Sequence, residues 1–226
     1  MKPASASRFR VGTGEAARIQ RELAGSLDTR RPLPMERVRL VAGADVSYRR
    51  GDGRTYAAVA VLTYPDLEVV ESRWGSAPAT FPYVPGLLAF REAPALLPVL
   101  RRLAHVPDAV LIDGHGVAHP RGCGVASHVG LLLGVPTVGV AKSVLVGEYV
   151  EPARGRGSRS PLVAEGRVIG EALRTREGVR PVFVSVGHMV DLDSAVRLAL
   201  SCCRAYRLPE PLRAAHRLTN EARAGS

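Results

Sequence analysis

Lysine is scarce in this chain: only Lys2 and Lys142 are lysines among 31 basic residues, and the other 29 are arginines. Cysteine is scarce as well, and its three copies form one isolated residue and one adjacent pair, Cys123, Cys202 and Cys203. That spacing matches neither a disulfide framework nor a zinc site. We therefore expect three small buried thiols and a reducing, cytoplasmic compartment.

Long apolar runs are missing too. Stretches such as residues 129–140 are short and are interrupted by glycine and proline, whereas a membrane span needs about 20 apolar residues. The first residues lead into charged sequence rather than an apolar segment, so we expect no signal peptide. The composition, 46% hydrophobic and 23% charged, is typical of a globular protein and excludes disorder over the whole length.

What the chain has in excess is positive charge. It carries 31 Lys and Arg against 21 Asp and Glu, a formal net charge of +10. Such a balance favours a polyanionic partner, although it does not determine the fold. Because arginine stands at nearly every basic position, the single internal lysine, Lys142, indicates a site that needs a compact point charge, such as contact with a phosphate. The alternative is that Lys142 has no special role and is a lysine retained by chance.

The 226 residues suffice for one large domain or two small ones. No internal repeat and no linker divides the sequence, so we predict one domain over residues 13–220. Residues 1–12 are predicted to form a flexible N-terminal tail, and residues 221–226 a C-terminal tail.

The first part of the predicted domain has the pattern of a helix followed by an antiparallel meander. Thr13 is predicted to cap a helix over residues 15–24, because the apolar positions there share one face. Three strands are then predicted at residues 38–48, 55–62 and 67–74, with a glycine-containing turn between the first two.

The second part alternates buried strands and helices, a rhythm that implies parallel pairing and right-handed crossovers. Strands are predicted at residues 109–113, 136–140, 168–173 and 182–186. Helices are predicted at residues 86–103, at residues 125–133, and from a cap at Asp191 to residue 204.

Two local features complete the prediction. Pro94 and Pro98 are predicted to start or kink turns, and residues 154–160 to form a flexible basic loop. The whole pattern predicts an α/β fold with a mixed sheet flanked by helices, in which an antiparallel three-strand meander is continued by parallel strands.

Three carboxylates stand out by their placement. Asp45 lies near the end of one apolar strand, Asp113 ends another, and Glu92 lies on the helix after the meander. Ligands collect at the carboxyl ends of strands in open α/β sheets, so Asp45 and Asp113 are expected to meet if their strands are neighbours. Converging carboxylates need a divalent cation, and oxygen ligands suit Mg²⁺ or Mn²⁺. The alternative for each is a cap or a surface carboxylate.

The segment 113–124 has four glycines in twelve residues, which suits a loop that presents backbone N–H groups to a ligand. It matches neither of the common glycine-rich nucleotide motifs. Its histidines, His115 and His119, lie four residues apart, but without a helix that spacing is weak evidence for zinc. Taken alone, each histidine is structural or incidental.

Tyr83 lies in a proline-rich segment, with Pro82 before it and Pro85 after it. A stiff, turn-prone backbone of this kind holds an aromatic side chain outward, as a wedge that enters a base stack requires. The alternative is a tyrosine that packs over a loop.

Taken together, these stretches resemble the endonuclease V family, deoxyinosine-directed repair nucleases with a ribonuclease H-like core. The matching segments follow the family's order and span about residues 13–220. They are residues 43–48, 82–92, 113–121, 124–128, 136–143, 185–188 and 207–211.

The resemblance implies roles for particular residues around a metal. It implies that Asp45, Glu92 and Asp113 form the catalytic Mg²⁺ site, where Mn²⁺ can substitute. His216 matches a family position near the metal that is either Asp or His, and Lys142 matches the family's active-site lysine. The catalytic set implied in this way is the three carboxylates together with Lys142.

The resemblance also implies a substrate side. Tyr83 matches the tip of the strand-separating wedge, and His119 matches a histidine beside the lesion pocket. The full set of implied substrate-binding positions is Tyr83, Pro82, Pro85, Gly86, Gly114, Gly116, His119, Arg121 and Gly139. One departure follows Arg121, because this chain has Gly122-Cys123 where the family usually has a bulkier residue and often a second basic one.

The implied activity is hydrolysis of damaged double- or single-stranded DNA by a monomeric enzyme. The wedge opens the duplex, the hypoxanthine base rotates into the pocket, and the second phosphodiester 3′ to the lesion is cut, leaving 3′-hydroxyl and 5′-phosphate ends. Two alternatives stay open: an inosine-containing RNA substrate, and an inactive nucleic-acid-binding relative. The presence of all three carboxylates and of Lys142 speaks against the second.

Overall fold

The computed structural model of the chain describes residues 9–49 and 51–225. Its strands are β1 (Leu40–Tyr48), β2 (Arg54–Thr63), β3 (Val69–Pro78), β4 (Ala109–Asp113), β5 (Thr137–Ala141), β6 (Arg159–Ala164), β7 (Arg167–Leu173) and β8 (Val182–His188). Its α-helices are α1 (Thr13–Ala24), α2 (Leu88–Arg101), α3 (Val125–Leu133), α4 (Leu192–Ser201) and α5 (Glu210–Ala224). Every predicted helix and strand is therefore present, with shifts at the ends.

The eight strands form one mixed sheet in the order β3-β2-β1-β4-β5-β8-β7-β6. β3, β2 and β1 are the predicted antiparallel meander, and the pairs β1–β4 and β4–β5 are parallel. The sequence predicts parallel strands after the meander but not that β4 lies beside β1. The parallel continuation stops at β5, because β5–β8, β8–β7 and β7–β6 are antiparallel. Parallel pairing requires a crossover connection, usually a helix, between consecutive strands. β6 and β7 have no helix between them and are joined as an antiparallel hairpin.

The prediction of a loop over residues 154–160 is wrong at its end, because β6 begins at Arg159. This strand lies at the edge of the sheet beside β7, and on its other side only an isolated bridge between Val163 and Glu148 is found among the described residues. An edge strand tolerates Pro161, which has no N–H to donate to a second neighbour.

Pro94 and Pro98 lie inside α2 and do not interrupt it. Each proline removes a helical hydrogen bond, at a cost of about 3 kcal/mol in a helix interior. The compensation comes from burial, because the apolar face of α2, including Phe90 and Leu96, packs into the core on one side of the sheet.

The two predicted helix caps have different outcomes. Thr13 is itself the first residue of α1, and the N-cap position is Gly12, which has no side chain to accept a hydrogen bond, so that prediction is wrong. Asp191 does cap α4, because its Oδ1 accepts a hydrogen bond of 2.7 Å from the backbone N–H of Ser194. α4 ends at Ser201, before the predicted residue 204.

The two faces of the sheet carry separate hydrophobic cores. One core is formed largely by α2 and α3, and the other contains the buried faces of α4 and α5. Because both faces are covered, residues 41–45 of β1 and the first four residues of β4 are buried. Of the described helices, none is long and apolar enough to cross a membrane.

Both predicted tail boundaries are wrong. Phe9 is only 5% exposed and its ring lies 5.7 Å from that of His128, so residue 9 already belongs to the core. Residues 1–8 of the predicted N-terminal tail lie outside the described residues. At the other end, α5 continues to Ala224, past the predicted boundary at 221. An amphipathic helix that buries Thr219 and Ala222 against the sheet cannot end at residue 220.

Candidate active site

Asp45 and Asp113 lie at corresponding positions on two adjacent parallel strands. β1 and β4 are paired with Ala44 opposite Ile112, so the next residue on each strand is one of the two aspartates. Both carboxylates therefore lie near the same edge of the central sheet, as the sequence predicts. The pKa of Asp113 is raised because burial disfavours its charge, and the nearby charge of Asp45 adds to this effect.

A third polar side chain reaches this pair from α5. Nδ1 of His216 lies 2.8 Å from Oδ2 of Asp45, and the hydroxyl of Thr219 donates a 3.1 Å hydrogen bond to the same oxygen. His216 and Thr219 share one face of the helix because they are three residues apart. Sequence reasoning missed Thr219, since it assigned no helix to this segment.

Gly43 allows α5 to come this close. A Cβ at residue 43 would overlap the backbone of Pro211, where α5 begins. Because the helix rests directly on the backbone of β1, its side chains reach Asp45 two residues further along the strand. A lone glycine inside an apolar strand is a known signal of close backbone approach, so the sequence contained this information.

These residues form a donor set that fits a divalent cation. Asp45, Asp113 and His216 each place one ligand atom within 4.8 Å of those of the other two. The two carboxylates suit a hard divalent cation such as Mg²⁺ or Mn²⁺, whereas the imidazole is a ligand more typical of transition metals. A cation there relieves the repulsion between the two aspartates.

Glu92 lies beside this group without belonging to it. Burial, together with the charges of Asp45 and Asp113, raises the pKa of Glu92 to about 8, so the three carboxylates share one electrostatic environment. The hydroxyl of Tyr48 donates a hydrogen bond to Oε1 of Glu92. Direct coordination of a metal by Glu92 therefore stays a prediction, and Tyr48 is a partner that sequence reasoning quoted only as part of a motif.

Lys142 immediately follows β5 and forms an ion pair with Oδ2 of Asp113. Its side chain is 43% exposed, so the ammonium lies at the mouth of the site. The backbone carbonyl of Lys142 accepts a 2.8 Å hydrogen bond from Arg207, which fixes the start of the loop after β5. The one internal lysine therefore lies beside the aspartates, as the sequence predicts.

A cavity of about 250 Å³ opens beside the carboxylates, and Glu92 and Asp113 form part of its wall. Among the predicted substrate-binding residues, those that line it are Tyr83, Pro85, Gly86, Gly114 and His119. The volume is below the roughly 300–1,000 Å³ of pockets for drug-sized ligands, so the cavity suits a small flat group such as one nucleobase. Tyr83 is 64% exposed and stands at its rim.

His119 and Arg121 hold the loop that carries Tyr83. Nε2 of His119 lies 2.8 Å from the carbonyl oxygen of Gly86, and Nη2 of Arg121 donates to the same oxygen at 2.5 Å. Gly86 has φ +77°, a conformation that favours glycine. Burial lowers the pKa of His119 to about 4, so its ring is neutral at pH 7. Both side chains thus shape the cavity wall through Gly86.

Gly116 and Gly139 do not line the cavity. A Cβ at Gly116 would overlap the carbonyl of Val186, and a Cβ at Gly139 would overlap the backbone N–H of Gly116. These glycines permit the loop after β4 to lie directly against β5 and β8. Contact of Gly116 and Gly139 with the base therefore stays a prediction. Pro82 is likewise absent from the wall.

Sequence reasoning gave no substrate role to two polar residues of the cavity wall, Gln20 and His115. Gln20 is fully buried, accepts a 2.7 Å hydrogen bond from Nε of Arg121 and donates to the carbonyl of Cys123. Its only sequence signal is a polar residue on the inner face of α1. His115 was visible within the glycine-rich segment, and burial lowers its pKa to about 4.

Comparison with known proteins agrees with this geometry. The family model for endonuclease V matches residues 21–217. An endonuclease V from Methanothrix thermoacetophila is 51% identical over 209 residues, which cover 92% of this chain and 91% of that protein. The crystal structure of endonuclease V from Streptomyces avermitilis has a TM-score of 0.92 at 44% identity and covers 96% of this chain and 95% of that one.

A further structure shows a relative with nucleic acid. Endonuclease V of Ciona intestinalis, in complex with a 24-mer DNA containing an inosine followed by a ribo-adenosine, has a TM-score of 0.82 at 26% identity. It covers 94% of this chain and 98% of that one.

The mixed sheet, its helices and the acidic edge define a nuclease with a ribonuclease H-like fold, a hydrolase that acts on DNA. The family match covers most of the described residues and includes all three carboxylates, Lys142 and His216. The chain belongs to the endonuclease V family.

Proposed function

We propose that this protein is a DNA repair endonuclease that recognises deoxyinosine and hydrolyses the second phosphodiester bond 3′ to it. The products carry 3′-hydroxyl and 5′-phosphate ends. The observation that carries the proposal is that the wall of a cavity of nucleobase size contains Asp113 of the acidic site, which comprises Asp45, Asp113 and His216, together with the neighbouring Glu92. A base held in the cavity thereby places its own strand beside those carboxylates and Lys142.

The acidic site is proposed to hold Mg²⁺, for which Mn²⁺ can substitute. Asp45, Asp113 and His216 supply ligands, and Glu92, the third carboxylate, supplies a fourth ligand or positions one of the others. When bound, such an ion supplies positive charge to the phosphate oxygens and lowers the pKa of water. The fit of the three-residue donor set supports this assignment.

Lys142 is proposed to contact the phosphate that is cut. In the structure its ammonium is paired with Asp113, which keeps it at the mouth of the site. A compact cation there stabilises the charge that develops on the phosphate oxygens during hydrolysis. Because the side chain is partly exposed, it is free to turn from Asp113 to an incoming phosphate.

Tyr83 is proposed to act as the wedge between the two strands. It is exposed, and the loop behind it is held by His119 and Arg121 through Gly86. A fixed aromatic ring can take the place of a base that leaves the stack, at an unstacking cost of a few kcal/mol that is least at a mismatch.

The test is cleavage of matched strands that differ at one position. Deoxyinosine, deoxyadenosine and ribo-inosine are placed in otherwise identical oligonucleotides and incubated with Mg²⁺, with Mn²⁺ and with EDTA. We expect Mg²⁺-dependent nicking at the second bond 3′ to deoxyinosine, in duplex and in single strands, and an intact deoxyadenosine control.

Each other outcome has a defined meaning. Faster cleavage of the ribo-inosine strand would establish an RNA substrate instead, an alternative that is favoured by the ribo-adenosine in the relative's bound oligonucleotide. Specific binding without any nicking would indicate an inactive binding protein. Equal cutting of the deoxyadenosine strand would contradict lesion recognition.

The proposed setting is a monomer in the cytoplasm. The three cysteines are free and buried, which is consistent with a reducing compartment.

A further inference from the structure

A second groove adjoins the loop after β5. It has a volume of about 270 Å³ and shares Ser143 and Val144 with the wall of the base cavity. Its polar lining consists of Lys142, Ser143, Tyr149, Glu151, Arg180 and Arg207. We call it the cationic groove. Because Lys142 also pairs with Asp113, the groove is continuous with the acidic site.

The one carboxylate in the cationic groove is already neutralised from within the protein. Oε1 of Glu151 lies 2.6 Å from Nη2 of Arg174, whose side chain is only 6% exposed. Arg174 also donates to the carbonyl oxygens of Pro152 and Ala153, both at 2.7 Å, so its guanidinium is fixed. Glu151 is therefore not available to balance the groove's own cations.

Arg180 and Arg207 both line the groove, and their positive charges repel each other. Among the residues that the structure describes, no carboxylate forms an ion pair with either of them. Burial and the charge of Arg180 lower the pKa of Arg207, although a guanidinium stays charged at pH 7. Two neighbouring cations without a counter-charge attract an anion, and a phosphate fits their planar donors.

Arg207 has a second task, because it ties two chain segments together. Its Nη2 donates to the carbonyl of Lys142 at 2.8 Å and to the carbonyl of Pro181 at 2.7 Å. Arg207 thus fixes the backbone of Lys142. An anion bound in the groove is thereby coupled to the position of that lysine.

We propose that the cationic groove binds one backbone phosphate of the substrate strand, next to the phosphate that is cut, with Arg180 as the contact residue. Arg207 is a positioning residue that holds Lys142 in place. This inference rests on the proposed function, because it assumes that a nucleic-acid strand passes Asp113 and Lys142. It adds a phosphate subsite that determines the register of the strand relative to the acidic site.

Binding measurements with Arg180→Ala test the contact. Affinity for a deoxyinosine single strand and for an undamaged strand is measured in EDTA over a series of KCl concentrations. We expect the affinity for both strands to fall by roughly 5- to 10-fold. The slope of log affinity against log salt concentration should decrease by the amount that corresponds to about one phosphate contact. Arg176→Ala is the matched control, since Arg176 is also exposed and does not line the groove. It should stay within about twofold of the parent.

A methylphosphonate scan locates the subsite. Each backbone phosphate near deoxyinosine is replaced singly by a neutral methylphosphonate, and affinity is measured for the parent and for Arg180→Ala. At one position the neutral replacement should weaken binding by the parent but not by the variant, because Arg180, the partner of that phosphate charge, is already absent from the variant. If Arg180→Ala matches Arg176→Ala in affinity and salt slope, or if no position shows this loss of sensitivity, the phosphate subsite is overturned.

Arg207→Lys separates positioning from charge. The variant keeps the positive charge but cannot hold both carbonyls with one planar group. We expect the single-turnover nicking rate to fall at least about fivefold while affinity in EDTA stays within about twofold. An unchanged nicking rate would refute the positioning role, and a variant that does not fold would leave the Arg180 measurements to decide the subsite. Failure of the parent to nick deoxyinosine would refute the proposed function alone, since the binding measurements need no cleavage.

Discussion

The acidic site and the base cavity share a wall but are built in opposite ways. The acidic site consists of side chains brought from separate elements, with Asp45 on β1, Asp113 on β4 and His216 on α5. The cavity depends on backbone, where Gly86 and Gly114 have positive φ and Gly116 lies against β8. The difference indicates that side-chain substitutions on the acidic side should remove chemistry, whereas those on the cavity side should change shape or recognition.

The largest expected effect is on the acidic side. Asp45→Ala or Asp113→Ala should reduce Mg²⁺-dependent nicking by about 1,000-fold or more, because a ligand to the ion and its charge are both lost. Lesion binding in EDTA should stay within a few-fold of the parent, since Asp45 does not line the cavity and Asp113 is only one of its wall residues. Nicking assays and filter binding on the same oligonucleotide measure the two effects, and full activity in either variant would remove the metal-site assignment.

On the cavity side the largest effect should fall on the fold itself. Gly116→Ala places a methyl group on the carbonyl of Val186, and we expect a loss of about 3 kcal/mol or more in the free energy of unfolding. Denaturant unfolding measures this loss. The matched control is Gly14→Ala in α1, where a Cβ meets nothing within 4 Å and where we expect up to about 1 kcal/mol of stabilisation. A stable Gly116→Ala protein would show that the loop after β4 is not held by backbone contact.

Recognition should respond more modestly. Tyr83→Ala removes the exposed ring and should weaken cleavage of a deoxyinosine duplex by about tenfold, but that of the single strand by no more than about twofold. The reason is that only a duplex has a partner strand to separate. Comparing kcat/KM on the two substrates checks this, and an equal loss on both would mean that Tyr83 only packs over the cavity.

The smallest expected effect concerns Glu92, which lines the cavity and lies beside the acidic site. Tyr48→Phe removes the hydrogen bond that favours the charged form of Glu92, so the pKa of Glu92 should rise above its already raised value. Activity at neutral pH should fall a few-fold and recover as the pH increases, because deprotonation of Glu92 then needs a higher pH. A pH–rate profile from 6 to 9 tests this, and an acid limb that stays in place would show that Glu92 does not control the rate.

The sequence was most informative where charge interrupts an apolar strand. Asp45 and Asp113 could be placed at the ends of two apolar strands, and their meeting was expected only if those strands were neighbours. The pairing of β1 with β4 meets that condition. Lys142 was visible as an exception to the arginine-rich composition. These signals are local, and each depends on a few consecutive residues.

Contacts between distant segments could not be read in the same way. The bond from Thr219 to Asp45 spans 174 positions and depends on where α5 crosses β1. Gln20 reaches the cavity wall only because α1 packs beside the loop that carries Arg121. β6 was missed because its six residues include Pro161 and show no clear apolar alternation, so that its pairing with β7 decides its conformation.

The bare backbone of Gly43 also has a consequence for the order of assembly. α5 follows every strand of the sheet along the chain, yet it supplies His216 and Thr219 to Asp45. Until α5 has packed on β1, Asp45 lacks both of these partners. The polar surroundings of Asp45 are therefore completed only when residues 210–224 have folded as a helix onto β1.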